Sequence, residues 1–67
     1  SDDSFTIEAG EAISKLSSIQ DKYREAKRKS ELFYAVRAKF KERFPEASSS
    51  TLGKLARKAI KRSKEKK

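Results

Sequence analysis

The sequence of 67 residues contains no cysteine, histidine or tryptophan, and it has a single proline and two isolated glycines. Without cysteine the chain forms no disulfide and no thiolate metal site, which is compatible with a reducing compartment. Without histidine it lacks the commonest metal ligand and the commonest general base. Its serines, lysines and carboxylates show no spacing that pairs a nucleophile with a base. We therefore expect no enzyme activity, no metal site and no cofactor.

Long apolar runs are also missing. No segment approaches the ~20 apolar residues that a membrane-spanning helix requires, and no signal peptide is visible. A chain this short buries a small core, so we expect no cavity for a small-molecule substrate. Charged residues reach 42%, as in many disordered chains, but the apolar residues recur with a helical period. We therefore expect one folded domain with no membrane partner. Because the chain begins with Ser1, we expect it to be either a domain excised from a longer protein or a processed product.

Positive charge is abundant and unevenly distributed. The formal net charge is +8 and the pI is about 10.0. Residues 1–20 hold four acids and one lysine, for a net charge of −3. Residues 21–44 hold nine cations and four acids, and residues 45–67 hold eight cations and two acids. A domain with this charge favours nucleic acid or another polyanion as its partner.

The apolar spacing predicts helices and no strands. A first stripe has spacings of three and four, which also make it a heptad seam. It consists of Ala9, Ala12, Leu16, Ile19, Tyr23 and Ala26. A second stripe consists of Leu32, Phe33, Val36, Phe40 and Phe44. Pro45 ends this pattern, and Ser49, Ser50 or Thr51 can cap a third helix.

Ser30 lies between the first two stripes and can serve as an N-cap, so we expect a break there. Residues 21–31 are otherwise strong helix formers, which leaves one continuous helix through residue 44 as the alternative. The expected fold is all-α, a small three-helix bundle with a frayed basic C-terminal tail. Its single domain spans residues 1–63, with helices at about 6–28, 31–44 and 51–63, and the tail spans residues 64–67.

Residues 52–62 separate apolar from basic side chains on opposite arcs of a helix, each about 140° wide at about 100° per residue. The apolar arc consists of Leu52, Leu55, Ala56, Ala59 and Ile60. The basic arc consists of Lys54, Arg57, Lys58, Lys61 and Arg62. A solvated face ordinarily mixes charges, because Glu–Lys pairs stabilise a helix and like charges repel. The unmixed arc favours a polyanionic partner, and a merely solvated face is the alternative.

Residues 44–62 have the outline of a helix-turn-helix, in which a polar turn precedes an amphipathic basic helix. The turn is longer than the three or four residues of that motif, and Gly53 lies within the helix rather than in the turn. The tryptophans that mark Myb/SANT-like three-helix domains are absent, so the sequence assigns no family.

We predict a nucleic-acid-binding domain of a transcription or chromatin protein, with double-stranded DNA favoured. The expected contacts are the five cations of the basic arc and three residues of a second basic cluster, Lys27, Arg28 and Lys29. Lys22 and Arg24 also belong to that cluster. Cations at the end of the first predicted helix also stabilise its dipole, which is the alternative explanation of that cluster. The expected location is the nucleus of a eukaryote, or the nucleoid or cytoplasm of a bacterium.

The second hypothesis is a helical protein–protein interaction or dimerisation module. The heptad seam of the first helix would bind a protein partner or a second copy, and the basic tail would act as a nuclear localisation signal. The same seam is also explained by packing within the chain, which a small domain needs.

Overall fold

The fold is a long helix followed by a short one. A computed structural model describes residues 2–66 and contains, within them, two α-helices and no strand. α1 spans Asp2–Arg43 and has 42 residues, and α2 spans Ser49–Glu65 and has 17 residues. Residues 44–48 connect the two helices. Neither helix is long and apolar enough to cross a membrane.

α2 folds back along the last third of α1, so the two helices form an antiparallel hairpin. Next to the turn, Arg37 of α1 donates a hydrogen bond to the hydroxyl of Ser49. At the far end of α2, Ile60 and Lys64 lie beside Leu32 of α1. The two helices therefore stay together along most of the length of α2.

The predicted three-helix bundle is wrong. The two helices expected at about residues 6–28 and 31–44 are one continuous helix, Asp2–Arg43, which also begins about four residues earlier than expected. A serine inside a helix costs only about 0.5 kcal/mol relative to alanine, whereas a break would remove several backbone hydrogen bonds. Glu25 also bridges to Arg28 and Lys29 just before Ser30, which adds weak support to the helix there. No proline or glycine lies near Ser30 to form a reversal.

The helix-turn-helix outline is also wrong. In that motif the two helices cross at about 90–120° and meet near the turn. Here the helices are antiparallel, and Phe33 of α1 lies against Gly53 and Arg57 in the middle of α2. The sequence could not decide this, because the same apolar arc on α2 can pack at either crossing angle.

The helix ends before Pro45 as predicted, but at Arg43, one residue earlier than the expected end at residue 44. The ammonium of Lys41 donates to the Pro45 carbonyl, at 2.8 Å, across the turn. The N-cap of α2 is Ser48, one residue before the three predicted candidates. Its hydroxyl accepts a hydrogen bond from the Thr51 amide at 3.1 Å, which satisfies one of the free donors of the first turn.

The C-terminal end of α2 also differs from the expectation of a frayed tail from residue 64. The helix continues through Glu65, and Lys66 is its C-cap, with its amide donating to the Arg62 carbonyl at 3.2 Å. Residue 67 lies outside the described residues. Cations in the last turn favour this extension, because they stabilise the negative end of the helix dipole.

The core lies between α2 and residues 32–40 of α1 and is small. Among the described residues, the buried ones are Leu52, Gly53 and Ala56, all on α2. Three apolar side chains of α1 are half-buried opposite them, namely Phe33, Val36 and Phe40. The predicted inward arc of the last helix is therefore confirmed, with Leu55, Ala59 and Ile60 half-buried beside its centre.

The molecule is a rod. Its principal dimensions are 66 × 24 × 14 Å, and its radius of gyration is 19.9 Å. A compact chain of the same length has a radius of gyration of about 11 Å. The excess arises because the first 25 or so residues of α1 extend beyond the hairpin.

Candidate nucleic-acid interface

The basic arc of α2 lies on the surface of the hairpin. All five of its cations are exposed, since the opposite arc of the helix faces α1. Lys54, Lys58 and Arg62 recur every fourth residue and form a stripe along the helix, with about 6 Å between successive positions. Arg57 and Lys61 lie on the side of α2 that borders α1. The cations therefore form a band from the outer face of α2 to its junction with α1.

The open end of the hairpin contains a cationic groove between the two helices, with a volume of about 290 Å³. α1 contributes Arg28 and Lys29 to its wall, and α2 contributes Arg57, Lys61 and Lys64. Leu32 and Ile60 complete the lining, and no acidic residue is part of it. Two cation clusters that are about 30 residues apart in the sequence are thus brought together by the reversal of the chain.

Lys27, the remaining predicted contact, does not line the groove. It is exposed on α1. At 100° per residue it points away from the sector occupied by Arg28, Lys29 and Leu32. The structure therefore joins seven of the eight predicted site residues into one surface and leaves Lys27 outside it.

The guanidinium of Arg57 contacts an aromatic ring of α1. Its guanidinium carbon lies 5.7 Å from the centroid of the Phe33 ring, which is within the range of a cation–π interaction. The Phe33 ring also meets Tyr34 edge-on, with 5.2 Å between the ring centroids. Arg57 thus has a structural role against α1, and its planar group is oriented at the edge of the groove.

Glu25 offsets part of the positive charge next to the groove. Its carboxylate accepts hydrogen bonds from Arg28 at 2.7 and 3.2 Å, and it lies 3.9 Å from the Lys29 ammonium. The hydrogen bonds from Arg28 lower the pKa of Glu25, and the same interaction raises the pKa of Arg28. Both groups therefore remain charged at neutral pH. The other groove cations, Arg57, Lys61 and Lys64, form no ion pair within the described chain.

One residue of the groove was missed by sequence reasoning. Lys64 lines the groove, although it was expected in the frayed tail. It lies one turn after Ile60, so extension of the helical pattern by one turn would have identified it. Arg37 of α1 lies outside the groove; it is half-buried and donates a hydrogen bond to Ser49, a contact that no local pattern indicates.

Metal chemistry has no geometric support in residues 2–66, where no group of three potential ligand side chains converges. No family model, curated protein or solved structure matches this chain. The function is therefore inferred from the geometry and charge of the hairpin alone.

Proposed function

We propose that this chain binds a nucleic-acid duplex, with double-stranded DNA as the favoured form, through the cationic band of α2 and the groove at the open end of the hairpin. The observation that carries the proposal is the groove itself. Five cations from two helices line it without an acid. Glu25 beside the groove pairs with Arg28 and Lys29, whereas Arg57, Lys61 and Lys64 form no ion pair within residues 2–66. The mutual repulsion of these cations costs free energy, and a polyanion offsets this cost.

Phosphate contacts would provide most of the affinity. Lysine ammonium groups on flexible stems suit phosphates, and such contacts position a protein on a duplex without reading its sequence. The outer arc of α2 is exposed along its whole length, and a helix about 10–12 Å in diameter fits the major groove of B-DNA, which is about 12 Å wide. We assign the chain on this basis to a transcription or chromatin protein that acts in the nucleus or nucleoid.

The first experiment measures binding to duplex DNA at several salt concentrations. If five cations engage phosphates, each contributes about 0.9 to the slope, so log K should fall with log salt at about −4 to −5. Parallel titrations with duplex RNA and with single strands of the same sequence test the preference for DNA. A slope near zero would reject the proposal.

The second experiment reverses three exposed cations that make no contact with the core. Lys54→Glu, Lys58→Glu and Lys61→Glu together should abolish binding at 0.1 M salt and leave the helical circular dichroism spectrum unchanged. Arg57 is left intact because its loss would also disturb Phe33. A triple variant that binds DNA as tightly as the parent would exclude α2 as the interface.

A matched control makes the same change in net charge elsewhere. Lys15→Glu, Arg24→Glu and Lys39→Glu alter three exposed residues of α1 that line neither the groove nor the outer face of α2. We expect this control to bind DNA far more tightly than the α2 variant. Equal losses in the two variants would mean that net charge, and not a defined surface, causes the binding.

A further inference from the structure

An apolar seam on α1 extends well beyond the part that α2 covers. It starts at Phe5 and continues through the heptad positions from Ala9 to Ala26. Its large side chains are mostly exposed, with Phe5 at 72%, Leu16 at 60%, Ile19 at 55% and Tyr23 at 68%. Within the described chain, no other element lies against this half of α1. Helices in proteins gain most of their stability from packing of an apolar face, so an uncovered seam of this size indicates a missing partner.

The exposed seam is the direct continuation of the interface between α1 and α2. Residues 5, 12, 19, 26, 33 and 40 are seven apart and are all apolar, in the order Phe, Ala, Ile, Ala, Phe, Phe. The last two, Phe33 and Phe40, are half-buried against α2. A seven-residue repeat keeps its members on one side of a helix, with a drift of about 20° per repeat. The drift adds up to about 80° between residues 5 and 33 of a straight helix, so the surface that α2 covers over residues 33–40 continues into the open seam at residues 19–26 and turns gradually around α1 toward residue 5.

The amount of exposed surface matches an interface of ordinary size. The chain exposes 6129 Å², whereas a compact protein of 7.6 kDa exposes about 4,300 Å². The excess is about 1,800 Å², and a stable protein–protein interface hides about 800 Å² on each partner. Residues 5–26 therefore expose enough surface to bind one partner helix.

The charges along this half of α1 indicate the orientation in which a partner helix would bind. Residues 2–11 carry four acids and no cation, whereas residues 22–29 carry five cations and one acid. In a parallel pair of copies, acidic ends would face acidic ends and basic ends would face basic ends. In an antiparallel pair, the acidic segment of each copy lies beside the basic segment of the other, which is favourable at both ends.

We propose that two copies of this chain associate through residues 5–26 of α1 as an antiparallel two-helix coiled coil, with the two-fold axis near residue 16. The hairpins then lie at opposite ends of the dimer, each with its cationic surface pointing outward on α2. This proposal does not depend on nucleic-acid binding, since it rests on the seam and on the charges that flank it.

Sedimentation equilibrium across a range of protein concentrations tests the association. The parent chain should form dimers, and Leu16→Ala with Ile19→Ala should shift the protein to monomer. Alanine favours helix, so this variant keeps its helical propensity. The matched control is Ile7→Ala, because Ile7 is 62% exposed but lies off the seam. Its dimerisation constant should equal that of the parent.

Spin labels test the orientation. The chain has no cysteine, so Ser4→Cys introduces a single label site on a residue that lies off the seam. Ser4 is 12 residues from the two-fold axis, so an antiparallel dimer holds the two labels roughly 36 Å apart along the helix axis. A parallel dimer holds them within about 15 Å of each other, since paired helices lie 8–10 Å apart.

Three results would overturn the proposal: a monomer at all concentrations, labels in close proximity, or an Ile7→Ala variant that dissociates as readily as the seam variant. DNA titrations of the monomeric Leu16→Ala and Ile19→Ala double variant separate the two proposals. If it still binds DNA, dimerisation and binding are independent. If the parent dimerises as predicted but no form binds DNA, only the proposed function fails.

Discussion

Gly53 is buried on the side of α2 that faces α1, yet its backbone does not require glycine. No glycine among the described residues has a positive φ. A Cβ atom added at Gly53 would lie 3.5 Å from the nearest guanidinium nitrogen of Arg57 and 3.7 Å from the Phe33 ring. These are ordinary van der Waals distances, so the site accommodates a methyl group.

We therefore expect Gly53→Ala to stabilise the hairpin by about 0.5–1 kcal/mol, because alanine loses less backbone entropy in a helix. Thermal and urea unfolding followed by circular dichroism measures the change. Gly10→Ala is the companion variant, since a Cβ there meets nothing within 4 Å and tests the helix propensity alone. A lower melting temperature for Gly53→Ala would show that Phe33 and Arg57 cannot adjust.

Leu52 is the large side chain on which the core depends. It is 3% exposed, whereas the aromatic residues opposite it on α1 are only half-buried. We expect Leu52→Ala to destabilise the hairpin by about 2–5 kcal/mol, as typical for a buried leucine, and this is a large part of the stability of so small a core. Ile7→Ala should change the free energy of unfolding by less than about 0.5 kcal/mol. Equal effects of the two substitutions would contradict the described core.

At the scale of the element, substitutions of two serines test where a helix begins and where it continues. Ser48 is an N-cap, so Ser48→Ala should cost about 1 kcal/mol through loss of its hydrogen bond to Thr51. Ser30 lies inside α1, so Ser30→Ala should stabilise the chain by about 0.5 kcal/mol. The same substitution thus has opposite signs at the two sites, and urea unfolding of both variants measures them. Destabilisation by Ser30→Ala would indicate that Ser30 caps a helix, and α1 would then be broken there as the sequence predicted.

At the scale of the whole molecule, the acidic beginning of α1 lies far from the cationic groove. Glu11 is 17 residues before Arg28, which is about 25 Å along a helix. The Debye length is about 10 Å at 0.1 M salt and about 30 Å at 0.01 M salt. The field of the acidic end therefore reaches the groove of its own chain only at low salt.

Glu8→Gln with Glu11→Gln should accordingly leave DNA affinity nearly unchanged at 0.1 M salt and raise it at 0.01 M salt. The titration is made at protein concentrations at which the chain is monomeric. Ser14→Ala and Ser17→Ala provide a control that changes the same helix without changing its charge. A large loss of affinity on removal of the two acids would instead make the acidic end part of the binding surface.

The sequence by itself determined the local features of this protein. The 3.6-residue period of the apolar side chains specified helices and the arc of α2 that faces inward. Pro45 has no backbone N–H to donate, and this determined the end of α1, because the loss of a helical hydrogen bond acts within one turn. The exposure of the α2 cations followed from the same period, since the opposite arc had to be buried.

Only the tertiary structure decided how these pieces meet. The sequence left Ser30 ambiguous, because the same residue caps a helix or continues one at a cost of about 0.5 kcal/mol. The groove joins Arg28 and Lys29 to Lys61 and Lys64, and their proximity depends on the direction in which α2 returns along α1. The open seam of α1 has the same origin, since α2 is 17 residues long and cannot cover a helix of 42. The spacing of neighbouring residues determines the period of a helix. It does not determine how two helices lie against each other, because that depends on the turn and on packing between residues far apart in the chain.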